Sequence, residues 1–462
     1  MEFVATEKTL LPLRYVLPLV VLVEGFVSIA IEILTIRQLL PVAGGSVIVT
    51  SLIIGFFLLF LACGYHRGGK LHQNLPKVLR INFFIAAIWL GVGLSYGFIL
   101  LFFYFVQKIT GPQIVYPLIA YLFLIIAPLI FMLGQTIPIT MNMVLKNRSA
   151  GSIGGNTLGL STLGSFLGAI LTTLVLMYFL GVAWTVIINF ILLILLVLML
   201  VESRLSFVLY LGMALVALFF IYEFQLQTEK KLFVTTNNYA NYQVVDNQST
   251  KFLFINDSPS SSIDKNKKGF LYIESIKKIL FDDLKLRDAS ILVLGAGGFT
   301  LTAKDTYQNQ VTYVDVDSQI KKVVFPRFLE HMNSSFVADD ARHYLQTTHN
   351  LYEAIVTDVY SDLKTMPAYF LTQEYMRSVK ARLASQGVAI FNIIANPMLA
   401  DAYSKRVDNT IRSVFERCMV TPGVYADKIT NILYVCSNKS NQSDKVIYSD
   451  NFNNSTTDSF NW

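Results

Sequence analysis

Aspartate is missing from the first 245 residues of this 462-residue chain, and the first one is Asp246. Charged residues make up only 15% of the whole against 54% hydrophobic, which is too apolar for one water-soluble globule. Cysteine is scarce too. Cys63, Cys418 and Cys436 show no Cys-x-x-Cys spacing, and only five histidines accompany them. That argues against a zinc site, any other metal site and a disulfide framework, while a Cys418–Cys436 pair stays open. No dense basic stripe with interleaved aromatics underlies the net charge of +6, which argues against nucleic acid as a partner. A cleavable signal is not expected, because the first apolar run is long and lacks a small-residue cleavage pattern.

What is there divides into a greasy half and a polar half. Backbone groups in lipid must be satisfied internally, so a crossing needs about 20 apolar residues in a helix. Seven such spans are predicted: 15–36, 47–63, 81–106, 114–133, 158–180, 184–201 and 206–222, with breaks allowed at Pro128 or Pro138. The lipid bilayer is therefore the first expected partner. The fifth span carries Gly155, Gly159, Gly164 and Gly168, a spacing that lets helix backbones approach closely within the bundle or across a dimer. Glu24 and Glu32 lie in the first span, with Arg37 near its end. A carboxylate is costly in lipid, so these residues read either as a cation or proton site or as a Glu32–Arg37 packing pair.

In the polar half, strand-like runs from Tyr239 to Ser262 precede a helical spacing over Tyr272–Leu284. A buried parallel strand, Ile291–Leu294, then meets Gly295-Ala296-Gly297-Gly298. Glycine there permits a sharp turn and close approach to a ligand. The following strands end in Asp315 and Asp317, in Asp339-Asp340-Ala341, and in Asp358; a fifth, Gly387–Phe391, leads to Asn392. Ligands bind at the carboxyl ends of such strands, although each aspartate equally suits a helix cap. The third glycine of a dinucleotide fingerprint would fall at Thr300, so a single-nucleoside ligand is favoured.

Across residues 242–392 the chain resembles the polyamine aminopropyltransferases, the spermidine synthase family. The resemblance rests on Tyr242-Gln243, Tyr272 with Glu274, the loop Gly295–Gly298, Val314-Asp315-Val316-Asp317, Asp339-Asp340-Ala341, Thr357-Asp358 and the run Met366–Tyr375. In the greasy half Glu32, Arg37, Gly64-Tyr65, Gly68-Gly69 and Asn156-Thr157-Leu158-Gly159 are similar to membrane-fused members. The resemblance implies a multi-pass α-helical membrane bundle fused to an α/β Rossmann-like domain of the class I S-adenosylmethionine methyltransferase type, with an N-terminal β-strand subdomain.

It also implies aminopropyl transfer from decarboxylated S-adenosylmethionine, a co-substrate rather than a resident cofactor, to a diamine such as putrescine. Asp358 would be the base. Gly295, Gly297, Gly298, Asp315, Asp340 and Ala341 would hold the nucleoside, with Asp315 on the ribose and Asp340 on the adenine. Gln243, Tyr272 and Asp362 would hold the aminopropyl chain or the amine. A homodimer is implied as well. Three positions depart from the family pattern: Gly298 stands where its loop carries aspartate, Ile273 stands where glutamine or histidine often follows Tyr272, and Ser361, with Asp362 adjacent, stands where a second aspartate follows the base.

The expected layout is a bundle over 1–224, a linker with β subdomain and leading helix over 225–285, the nucleoside-binding domain over 286–437, and a polar, disordered tail over 438–462. Methyl transfer, and a non-catalytic transporter or sensor regulated by a nucleoside, are the competing readings. The expected location is the plasma membrane. Substrate supply places the soluble half in the cytoplasm, whereas the basic loop Arg67–Arg80 under the positive-inside rule places it outside.

Overall fold

The computed structural model describes residues 9–44, 47–144, 149–304, 306–360, 366–437, 448–450 and 455. The chain divides into two compact units at Ala240/Asn241.

Seven helices of the first unit are long and apolar enough to cross a membrane: α1 (Leu13–Ala43), α2 (Val47–Gly69), α3 (Leu75–Gly93), α5 (Val115–Met143), α6 (Ala150–Leu180), α7 (Val182–Met199) and α8 (Arg204–Leu232). A shorter apolar helix, α4 (Tyr96–Thr110), follows α3. The expected third span, 81–106, is thus two helices that part at Leu94-Ser95. Glycines permit the tight packing there. A side chain at Gly91 would strike Ile221, and one at Gly93 would strike Ile125.

The first unit also runs further than residue 225. Gln225 is buried and its amide donates to the Gly91 carbonyl (3.0 Å). Two orphan N–H groups at the start of α7 find acceptors in the same segment: Ala183 N donates to Glu229 Oε2 (2.9 Å) and Val182 N to Thr236 Oγ1 (3.1 Å). Polar residues that read as a linker in the sequence therefore complete helix ends.

The four-residue glycine pattern of α6 is split. An added Cβ would lie 2.0 Å from the Leu22 carbonyl oxygen at Gly164 and 2.5 Å from the Phe26 carbonyl oxygen at Gly168. Around Gly155 and Gly159 there is open space. Close packing of α1 on α6 thus uses only the second pair. Of the charges on α1, Glu24 is buried and accepts the Ser28 hydroxyl (2.6 Å), Glu32 is half-buried, and Arg37 Nε donates to the Asn237 carbonyl (2.7 Å).

The second unit opens with an antiparallel meander, β1 (Asn241–Asn247), β2 (Thr250–Ile255) and β3 (Ser258–Asp264). Helix α9 (Leu271–Lys277) leads into the main sheet, whose strands are β4 (Ser290–Leu294), β5 (Gln310–Asp315), β6 (Ser335–Ala338), β7 (Tyr352–Thr357), β8 (Leu383–Ala395), β9 (Arg417–Pro422) and β10 (Thr430–Ser437). Between them run α10 (Ala341–Thr347), α11 (Gln373–Ala381) and α12 (Ala402–Val414). The strand order is β9-β10-β8-β7-β4-β5-β6. The five strands from β8 to β6 are parallel, and β10 is antiparallel to both its neighbours.

The interior reads as that topology requires. Ile291, Leu292 and Leu294 on β4, Ile355 on β7 and Ile390 and Phe391 on β8 are fully buried. Cys418 and Cys436 face each other in the β9–β10 register and are joined in a disulfide. Part of the tail is packed, contrary to the sequence expectation. Tyr448 is fully buried, its N–H donates to Thr410 Oγ1 (3.0 Å), and its carbonyl accepts from Gln373 N (3.0 Å). One large aromatic supplies the apolar area that the surrounding polar sequence lacks.

Candidate active site

The carboxyl edge of the parallel strands gathers the predicted residues. Leu294, Val314 and Thr357 stand level in the ladder, and the next residues extend it: Gly295 N donates to Val314 O and Asp358 N to Leu294 O, both at 2.9 Å. Gly295 has φ +91°, and a Cβ there would lie 2.1 Å from the Asp358 carbonyl oxygen. Only glycine lets the loop pass that close to the strand end. Gly297 is also left-handed, at φ +47°. Gly298 N donates to Ser261 Oγ (2.8 Å). A side chain at Gly298 would meet Phe328 at 2.5 Å and Ser261 Cβ at 2.8 Å. Phe328 and Ser261 therefore fill the space that a side chain at Gly298 would need.

Asp358 is the centre of a buried network. Tyr272, at the start of α9, donates its hydroxyl to Oδ2 (3.0 Å), and Asn392 Nδ2 donates to Oδ1 (2.8 Å). Asn431 Nδ2 in turn donates to Asn392 Oδ1 (3.0 Å). That bond fixes which end of the Asn392 amide faces the carboxylate. Burial pushes the Asp358 carboxyl above the usual carboxylate range, and the Asn392 and Tyr272 donors pull it part of the way back. Burial, then the adjacent Asp358 charge, push the Tyr272 phenol well up, so Tyr272 is held as a donor. A cavity opens beside this pair, lined by Tyr272, Asp358, Ser261, Gly295, Ala296 and Gly297.

The other predicted residues fall into three groups. Asp315 stands at the end of β5, beside the loop. Its Oδ2 accepts from Ala296 N (2.9 Å) and its Oδ1 from Asp317 N (3.0 Å), and burial pushes its carboxyl up. Asp340 caps α10, accepting from Arg342 N and His343 N at 2.9 Å each, and Ala341 is buried at the first turn. The capping alternative thus holds for Asp340, which still sits at the edge next to β5. Gln243 is half-buried on β1 and makes no side-chain hydrogen bond among the described residues. Its neighbour Tyr242 donates to Asp317 Oδ2 (2.6 Å). Asp362 and Ser361 lie outside the described residues. No group of three or more metal-ligating side chains occurs among the described residues.

Sequence reasoning assigned no role to Asn392, Asn431 or Ser261. Asn392 was visible as a polar residue after an apolar run. It lies inside β8 rather than beyond it, because its amide is satisfied on both sides.

A glycine loop after the first parallel strand, a carboxylate ending the second, and a reversed strand beside the outer edge define a Rossmann-like fold of the class I methyltransferase type. Comparison with known proteins then shows what this half of the chain is similar to. Residues 270–445 match the spermine/spermidine synthase domain. The "Probable polyamine aminopropyl transferase" of Bifidobacterium longum is 27% identical over 156 residues, which is 33% of this chain and 34% of the relative. "Polyamine aminopropyltransferase 2" of Hyperthermus butylicus is 28% identical over 137 residues, 27% of this chain and 44% of the relative. The chain thus spans between a third and a half of the length of these curated relatives. The crystal structure of spermidine synthase from Thermotoga maritima is 13% identical, with a TM-score of 0.34, covering 47% of this chain and 80% of that one.

Proposed function

We propose that the protein is a membrane-anchored aminopropyltransferase that uses Asp358 as its base. One observation carries this reading: a single buried carboxylate, aimed by Tyr272 and Asn392, stands beside the glycine loop and opens on a cavity. A neutral amine nitrogen attacks the methylene carbon next to the sulfonium of a decarboxylated S-adenosylmethionine. The new C–N bond forms as the C–S bond breaks. Sulfur keeps the electron pair and leaves as methylthioadenosine, and the amine proton passes to Asp358. A carboxylate raised above its usual range is suited to that proton, because its basicity lies nearer the working pH. Asp315, with a spare lone pair on each oxygen, would accept from the ribose hydroxyls.

Membrane anchoring rests on the seven apolar helices, and the substrate class rests on the domain family. A second reading, methyl transfer from intact S-adenosylmethionine, rests on the lack of an acidic side chain at Gly298, where a carboxylate would repel that of the donor. The experiment gives purified protein in nanodiscs decarboxylated S-adenosylmethionine with putrescine and related diamines. Release of methylthioadenosine is expected, and Asp358→Asn should lose roughly 10²–10⁴-fold of the rate, the worth of general-base catalysis. Tight binding of intact S-adenosylmethionine with no methylthioadenosine release would favour the methyl-transfer reading instead.

A further inference from the structure

We infer that the catalytic domain works on the non-cytoplasmic side of the membrane. Hydrogen bonds within the bundle sort its helix ends into two groups. At one end Leu10 N donates to Val201 O (2.9 Å), Arg80 reaches the Leu200 carbonyl (2.9 Å) and Glu202 (3.0 Å), and Asn142 reaches the carbonyls of Gly69 (3.2 Å) and Leu71 (2.9 Å). The start of α1, the α2–α3 turn, the end of α5 and the α7–α8 turn therefore share this end. At the opposite end the Gln38 amide reaches the Leu94 carbonyl (3.0 Å), Gln225 reaches Gly91, Glu229 accepts from Ala183, and Arg37 holds Asn237. The chain leaves the bundle at this second end, toward Asn241.

Helix α4 does not add a crossing. It starts at the second end, just after Gly93, and the Tyr121 hydroxyl of α5 donates back to the Gly93 carbonyl (2.8 Å). Seven crossings remain, so the start of α1 and the exit lie on opposite sides.

Charge separates the two ends. Arg67, Lys70, Lys77 and Arg80 surround the α2–α3 turn, and Lys146 and Arg148 lie between α5 and α6; Arg14 and Arg204 start α1 and α8. At the exit end the α1–α2 connection, Gly44-Gly45-Ser46, is uncharged, and so is Gly181 between α6 and α7. Only Lys108, Lys230, Lys231 and the buried Arg37 carry positive charge there. Lys and Arg in short connections mark the cytoplasmic face, which assigns that face to the first end.

A separate observation in the second unit agrees. Cys418 and Cys436 form a disulfide between β9 and β10, and such bonds persist in oxidising compartments rather than in a reducing cytosol. Loop charge and thiol chemistry are independent, and both assign the same side. The consequence for substrates rests on the proposed function. A sulfonium nucleoside and a protonated amine do not cross a bilayer unaided. A transport step must therefore deliver the nucleoside before this reaction can take place.

The side is tested with the full chain in a bacterial membrane, fused at its C-terminus either to alkaline phosphatase, which folds only outside, or to green fluorescent protein, which fluoresces only inside. Phosphatase activity with a dark fluorescent fusion is expected. In the Cys63→Ser background, maleimide-polyethylene glycol should add to denatured protein only after reduction, with two additions. A fluorescent fusion, or free thiols at 418 and 436 before reduction, would overturn the inference. Neither readout depends on catalysis, so transferase assays in detergent judge the proposed function separately.

Discussion

At Asp358 the hydrogen-bond network depends on which way one amide points. Asn392 gives its N–H to the carboxylate because Asn431 occupies its carbonyl oxygen. A donor to the charged form lowers a carboxyl pKa, so its removal raises it. Asn392→Leu should therefore move the acid limb of the kcat/KM profile to higher pH by about one unit, the worth of one hydrogen bond to a charged group. Stopped-flow or product-release rates between pH 5 and 9 check this, and an unmoved limb would remove Asn392 from the network. Tyr272 and Asp358 were each singled out in the sequence through the family resemblance, but their hydrogen bond to one another was not legible there. Nor was the asparagine relay, because two polar residues inside strands β8 and β10 look like edge positions until the register is known. Asp340 shows the converse. Its place after a strand is readable, but only the hydrogen bonds show that it spends an oxygen capping α10.

Helices and strands raise a different question, that of contact. Gly164 and Gly168 bring α6 against carbonyl oxygens of α1, whereas Gly155 and Gly159 face open space. Gly164→Val should destabilise the bundle by about 1–3 kcal/mol through overpacking, and Gly159→Val should be close to neutral. Thermal unfolding in detergent compares the two, and equal effects would contradict the packing described here. The spacing in the sequence is four, five and four, so its break between Gly159 and Gly164 falls where the packing changes, but spacing alone does not say which pair meets a neighbour. A similar limit applies to the end of α8. Gln225 and Glu229 look like the start of a linker until their partners on α3 and α7 are seen. Tyr448 is the matching case in the second unit. Tyr448→Ala should cost about 3–5 kcal/mol, as for other buried aromatics. A thermal shift of the full chain reads this, and an unchanged melting temperature would mean that the tail contributes nothing.

For the molecule as a whole, the absence of aspartate before Asp246 already separated an apolar half from a polar one, and hydropathy alone gave seven spans. The order of strands could not be read, because β10 enters the sheet between β8 and β9 against the chain direction. That insertion makes β9 the rim of the sheet. A rim strand with unpaired amides is a template on which a second chain can extend the ladder. The Cys418–Cys436 cross-link fastens this strand to β10, so the rim cannot peel away to expose further amides while the rest of the domain stays folded. The cystine thus guards against polymerisation, and reducing agents in a preparation should first show themselves as filaments or turbidity rather than as lost turnover.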